Sequence, residues 1–153
     1  MKNTNQIIFS AKKPSGYDQY FSNFAHSPIT IEGIEYPTVE HAFQAHKTFN
    51  NTIRKEIAQL KTPGKSKRAG NKVNLRPDWE EVKYDIMVMC LREKFKIDLY
   101  KKILLCTQDA ELIEDAAEWN DAIWGIGKNG KGTNLLGKAL MKVRKELKEN
   151  EWK

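Results

Sequence analysis

Along the chain, strand-like runs of apolar residues come early and then give way to helical spacing. Ile7-Ile8-Phe9 is a short β-prone run. Ile29-Thr30-Ile31 and Ile34-Glu35-Tyr36 flank Glu32-Gly33 and read as a hairpin closed by an acidic-glycine turn. Pro37 stops the second strand. Thr38 is a predicted N-cap for a helix running to about Asn50, and Asn51 or Thr52 restarts a helix through Leu60. Pro63-Gly64 breaks that pattern ahead of a short basic helix. Asp78, with Glu81 three residues on, has the form of a capping box. Val82, Ile86, Met89 and Cys90 then make one buried face, with Lys83, Asp85, Arg92 and Glu93 outside it. A helix over residues 99–106 follows. Thr107 is expected to cap another, with Leu112, Ile113 and Ala116 facing inward. Thr133 or Asn134 opens a final helix on which Leu136, Leu140, Val143 and Leu147 recur. The predicted class is α+β: a helix-rich single domain over residues 1–153 with a small N-terminal antiparallel sheet.

A chain of 153 residues with 40% hydrophobic and 30% charged residues is long enough for a core that needs no disulfides. No stretch approaches the roughly 20 apolar residues of a membrane helix. Met1 to Ser10 holds one lysine and a three-residue apolar run, which is not the pattern of a secretory leader. The two cysteines, Cys90 and Cys106, each lie in an apolar run without a CxxC or a nearby histidine. The expectation is a cytoplasmic protein with two buried, reduced thiols.

Charge changes this picture more than composition does. The net charge is +6, but it is unevenly spread. Residues 61–77 hold Lys61, Lys65, Lys67, Arg68, Lys72 and Arg76 and no acid. Residues 122–145 hold Lys128, Lys131, Lys138, Lys142, Arg144 and Lys145, again with no acid. The rest of the chain is therefore net acidic. Two acid-free basic segments suit an anionic partner, either a phosphorylated small molecule or a nucleic acid.

Three segments carry candidate chemistry. In Tyr20-Phe21-Ser22-Asn23-Phe24, an amide that both donates and accepts sits between aromatics able to stack on a base; a turn pinned by two buried phenylalanines is the alternative. In Pro37 to Lys47, helical spacing puts Glu40, Gln44 and Lys47 on one stripe. That stripe is either a solvated face or a glutamate held by Gln44, balanced by Lys47 and aimed into a cleft. His41 and His46 are five apart, off the spacing of a zincin helix, so no metal is expected. In residues 119–137, two tryptophans surround Asp121 and five of the nine glycines follow. Gly125, Gly127 and Gly130 spell GxGxxG, but no second strand ending in an acid follows, as a dinucleotide fold requires. A P-loop fails by one residue, since Gly132 intervenes before Thr133. What remains is a glycine-rich loop entering a helix, able to offer backbone N–H groups to an anion alongside Lys128 and Lys131, or a tight structural turn.

Taken in order, these residues carry a family. Phe21-Ser22-Asn23-Phe24, Tyr36 through Lys47, Asp78-Trp79 with Lys83 and Met87, Lys94-Phe95, and Trp124-Gly125-Ile126-Gly127 through Gly132-Thr133-Asn134-Leu135-Leu136-Gly137 with Leu140-Met141 and Arg144 together resemble the NADAR, or YbiA-like, family. The resemblance runs from about Phe9 to Leu147. It implies a single α+β domain working without metal or cofactor. It implies an N-glycosidase that hydrolyses the N-glycosidic bond of the phosphoribosylamino-pyrimidine intermediates early in riboflavin biosynthesis, releasing ribose 5-phosphate. Other members of the family remove ADP-ribose from modified guanine in nucleic acid, which is the alternative activity. A silent nucleotide-binding module is the alternative from another class. On this resemblance Glu40 and Asp121 are the expected catalytic carboxylates, with acid and base roles left open. Trp79 and Trp124 are expected to clamp the base, and Asn23 to read a polar edge between Phe21 and Phe24. Gln44, Lys47, Gly127, Lys131 and Asn134 complete the expected binding set. The phosphate is assigned to Lys128, Lys131 and the 130–134 loop, with Arg68 and Lys72 second.

Overall fold

A computed structural model describes residues 5–10 and 16–151; residues 1–4, part of the stretch read for a leader, lie outside the described residues. In chain order the elements are β1 (Gln6–Phe9), α1 (Asp18–Phe21), β2 (Ile29–Ile31), β3 (Ile34–Tyr36), α2 (Val39–Ala45), α3 (Asn51–Ala58), α4 (Pro63–Gly70), α5 (Trp79–Lys94), α6 (Asp98–Cys106), β4 (Glu111–Glu114) and α7 (Leu135–Glu151). A 3-10 turn over Ala117–Trp119 lies between β4 and α7. The fold is helix-rich α+β. The chain forms two compact units, Asn23–Lys94 and a second made of Met1–Ser22 with Phe95–Lys153.

In the Asn23–Lys94 unit, β2 and β3 pair antiparallel with Ile29 opposite Tyr36. Glu32 and Gly33 both take positive φ, 51° and 79°, the two left-handed residues that a primed hairpin turn needs. Arg54, buried on α3, donates to Glu32 and to the Thr48 carbonyl, both at 2.8 Å, and so ties the turn to the helices. The Thr38 hydroxyl caps α2 by accepting the His41 N–H at 3.1 Å. α2 stops at Ala45, several residues before the expected end near Asn50. The reason is Asn50 itself: its side chain accepts from the Thr52 and Ile53 N–H groups, so the chain leaves one helix and caps the next. Asp78 stands just before α5, where the helix is expected to start, and its carbonyl accepts the Glu81 and Val82 N–H groups. Its side chain makes a two-pronged pair with Arg76, at 2.6 and 3.0 Å. The Arg76 guanidinium holds the Asp78 carboxyl below its ordinary range. Tyr36, Val39, Phe43, Ile57, Met87, Val88 and Leu91 form the core of this unit.

In the other unit, β1 and β4 pair in parallel, with Ile7 opposite Leu112. The helix expected after Thr107 is therefore a strand. Four apolar-rich residues do not distinguish the two by spacing alone. The partner decides: Glu111 N–H donates to Asn5 O and Asp115 N–H to Phe9 O, extending the ladder of β1 at both ends. Thr107 serves α6 instead, donating to Leu104 O at 2.6 Å and accepting from Arg144 at 2.8 Å. The apolar stripe of α7, with Leu136, Leu140 and Val143 buried, packs on β4. Cys90 is buried as expected, but Cys106 is exposed on α6. Among the described residues, no helix is long and apolar enough to cross a membrane.

Candidate active site

The stripe on α2 is not a wet face. Glu40 is 7% exposed and Gln44 4%. A carboxylate at this depth needs partners. Gln44 Nε2 donates to Glu40 Oε1 at 2.8 Å. Lys47 follows one turn later and is half-buried. Burial pushes its ammonium below the ordinary lysine range, the Glu40 charge pulls it back up, and Lys67 adds a further push down. Lys47 Nζ lies 5.9 Å from the Trp79 ring centre, and Phe43 packs on the same indole at 5.1 Å. Trp79 is itself buried as the first residue of α5. Asn23 comes to the same helix end: its carbonyl accepts the Glu40 N–H at 3.1 Å, and its side-chain Nδ2 faces the Met87 sulfur at 3.5 Å. Asn23, Glu40, Gln44, Lys47 and Trp79 thus share one neighbourhood of the Asn23–Lys94 unit. His41 fixes the helix: one ring nitrogen meets the Thr38 hydroxyl at 2.7 Å and the other donates to Leu60 O at 2.9 Å. Burial lowers both His41 and His46 from the usual imidazole range.

The glycine-rich loop of the other unit is organised differently. From Gly130 through Leu136, every backbone N–H is donated inside the loop. Gly132 reaches Ile126 O at 2.8 Å, Thr133 reaches Ala122 O at 2.7 Å, and Asn134 reaches Gly125 O at 3.1 Å. Leu135 and Leu136 reach the Ile123 and Trp124 carbonyls at 3.0 Å. Lys131 N–H goes to the Asn129 side chain at 2.9 Å, and Gly130 N–H to Gly127 O at 3.3 Å. The expected backbone cradle for a phosphate is therefore absent from these residues, because the loop uses its donors to close on itself. The side chains of Lys128 and Lys131 are both exposed. Asp121 Oδ1 accepts from the Ile123 and Trp124 N–H groups at 2.9 and 2.8 Å. Asn134 spends its amide on β4, donating to Leu112 O at 2.9 Å and accepting from Glu114 N–H at 3.0 Å. Gly127 sits at φ 67° and is buried against Ala122. Phe21 is fully buried among Phe9, Tyr17 and Phe95, a core position with no surface left for a ligand. Phe24 and Trp124 are half-buried.

A sequence profile of the NADAR domain matches residues 8–148. The chain belongs to the NADAR family. It is 43% identical over 130 residues to N-glycosidase YbiA of Shigella flexneri serotype 5b, covering 83% of this chain and 80% of that one. It is 32% identical over 141 residues to a riboflavin biosynthesis protein of Vibrio vulnificus, covering 90% of this chain and 38% of the longer relative. The NMR structure of Escherichia coli YbiA superposes with a TM-score of 0.82 at 36% identity, covering 99% of this chain and 93% of that one. The chain is accordingly a hydrolase of the N-glycosidase type.

Within this NADAR fold, the fully buried Lys94 lies outside the expected site. Lys94 ends α5 with no exposed surface, and burial pushes its ammonium down to about 7. Its signal was in the sequence: Met87, Leu91 and Lys94 recur at helical spacing, which puts the lysine on the apolar face. Among the described residues, no three of His, Cys, Asp and Glu cluster as metal ligands would.

Proposed function

We propose that the chain hydrolyses the N-glycosidic bond of a phosphorylated ribosylamino-pyrimidine, of the kind formed early in riboflavin biosynthesis, giving ribose 5-phosphate and the free pyrimidine. The observation that carries this reading is Glu40: a buried carboxylate on a capped helix, held by Gln44 and close enough to Lys47 for its charge to act on that ammonium. Cleavage builds positive charge on C1 and the ring oxygen of the ribose and negative charge on the departing nitrogen. A water oxygen bonds to C1, the C1–N bond breaks, and one water proton ends on the leaving nitrogen. A carboxylate shielded from bulk water both stabilises the cationic carbon and shuttles that proton. Glu40 takes this acid–base role. Asp121 is the second carboxylate of the reading, with Oδ1 fixed by two backbone amides and Oδ2 left for charge stabilisation. Within the Asn23–Lys94 unit, Trp79 contributes aromatic surface, Asn23 a polar edge and Lys47 positive charge; in the other unit, Trp124 contributes aromatic surface and Lys128 and Lys131 positive charge.

The test is a direct hydrolysis assay. Purified wild type and Glu40→Gln are offered 5-amino-6-(5-phosphoribosylamino)uracil and, separately, an oligonucleotide bearing ADP-ribosylated guanine. The expected result is ribose 5-phosphate from the first, with Glu40→Gln slower by about 10²–10⁴-fold in kcat while still binding substrate. Near-wild-type turnover by Glu40→Gln overturns the assignment. Release of ADP-ribose from the second substrate alone transfers the same residues to nucleic-acid repair.

A further inference from the structure

We infer that Gly70 is a positioning residue for the reaction: by having no side chain, it leaves room for the Gln44 amide to lie where its N–H meets Glu40. This rests on the reading of Glu40 as the catalytic carboxylate. Gly70 is the last residue of α4, in backbone that any residue adopts, and it is buried. Its φ is not in the left-handed region, so the turn does not demand glycine. Glycine also weakens a helix relative to alanine. The reason for glycine at 70 must therefore be space.

That space is filled by one side chain. A Cβ at position 70 would collide with Gln44 Oε1, and would stand 2.7 Å from Gln44 Cδ and 2.9 Å from Gln44 Cβ. The overlap reaches the root of the side chain, so swinging the amide end aside does not relieve it. Gln44 is 4% exposed and has little volume to move into. Its orientation is chemically determined as well. An ionised carboxylate only accepts hydrogen bonds, so Nε2 must face Glu40 Oε1, where it stands at 2.8 Å. Oε1 then points the other way, onto the Gly70 backbone. There it is buried and finds no hydrogen-bond donor among the described residues. A methyl group at 70 would push the amide off this seat and take the donor away from Glu40. Gly70 touches no substrate in this account; it acts through Gln44.

The experiment is a double-mutant cycle, read with the phosphoribosylamino-pyrimidine substrate. Wild type, Gly70→Ala, Gln44→Ala, the double variant and Glu40→Gln are compared in kcat, KM and pH profile. Gly70→Ala is expected to lower kcat by about tenfold or more with KM within about threefold, the mark of a misplaced catalytic group. The acidic limb of its kcat/KM profile is expected to move to higher pH, because the carboxylate has lost a donor that favours its charged form. In the Gln44→Ala background, adding Gly70→Ala is expected to change kcat by less than about twofold, since no amide remains to be displaced. The inference is overturned if Gly70→Ala keeps wild-type kcat, or if it costs as much with Gln44 absent as with it present. If Gly70→Ala does not fold, the double variant decides. Folding with the kcat of Gln44→Ala supports the inference, and failure to fold shows that Gly70 serves packing other than Gln44. An active Glu40→Gln would remove the functional reading itself. An inactive Glu40→Gln beside an indifferent Gly70→Ala would remove only the role of Gly70.

Discussion

The α2 stripe and the glycine-rich loop differ in how they use their polar groups. The loop has the composition of an anion site, with glycines, lysines and a following helix. Yet residues 130–136 donate all their backbone N–H groups within the loop, and Asp121 and Asn134 are hydrogen-bonded to its backbone or to β4. The stripe Glu40-Gln44-Lys47 has the composition of an ordinary solvated helix face. Its Glu40 and Gln44 are instead buried, with the Gln44 amide donating to the carboxylate and packed against the Gly70 backbone. Polar groups in low dielectric are costly to bury, so they are kept where they act. Glycines need no such explanation when the loop must simply pack tightly.

The largest effect that could break this contrast is in the carboxylates. Asp121→Asn keeps an oxygen that can accept from Ile123 and Trp124, and so keeps the loop, while removing the charge. We expect kcat to fall about 10–100-fold, well short of the loss from Glu40→Gln, as suits a group that stabilises charge without moving a proton. Paired steady-state assays check this. A loss equal to that of Glu40→Gln would make the two regions equal partners in proton transfer. Wild-type rates would make Asp121 a loop former only.

Asn134 sharpens the other side of the comparison. Asn134→Ala would leave Leu112 O and Glu114 N–H without their partner in a buried setting and would put alanine at φ 55°. We expect a loss of about 2–4 kcal/mol in stability, since each orphaned buried group costs about 1–3 kcal/mol. Urea denaturation reads this. KM of the folded fraction is expected to stay within about twofold, because the amide is turned to β4. A large rise in KM at unchanged stability would return Asn134 to the substrate.

Where local chemistry alone fixes the structure, the sequence was legible. The hairpin, the Thr38 cap, the helix after Pro63 and the face of α7 each follow from turn residues, caps or spacing within a few positions. β4 was not, because its four residues become a strand only through a parallel partner about a hundred residues away. In the site, the residue types on α2 were readable, and the resemblance singled out Glu40. Their burial was not readable, since it depends on α4 and α5 packing over that face. The role of Gly70 has no local signal for the same reason: it is defined by a side chain on another helix. The choice between an anion cradle and a tight turn was not readable in the loop, because donor-rich composition does not reveal whether the donors are already in use.

The last prediction concerns the fold's response to pH, and it places part of that response in the Asn23–Lys94 unit. Lys94 is 0% exposed and titrates near 7 in the folded chain, against an ordinary 10.5 for lysine. Between about pH 7 and 10.5 the unfolded chain therefore holds a proton that the folded chain does not. Stability from this group rises with pH across that window. Below about pH 7 both states carry the proton, and the stability gained by leaving Lys94 neutral in the folded chain is gone. Lys94→Met keeps the apolar stem and removes the titration. The variant is expected to melt higher than wild type at pH 6, and the gap is expected to narrow steadily toward pH 9.5. Groups common to both proteins, His41, His46 and Tyr36 among them, cancel in the difference. Thermal melts at pH 6, 7.5 and 9.5 read it. Parallel curves with a constant gap would mean that Lys94 keeps its ordinary titration inside the fold, and that burial on α5 does not set its charge.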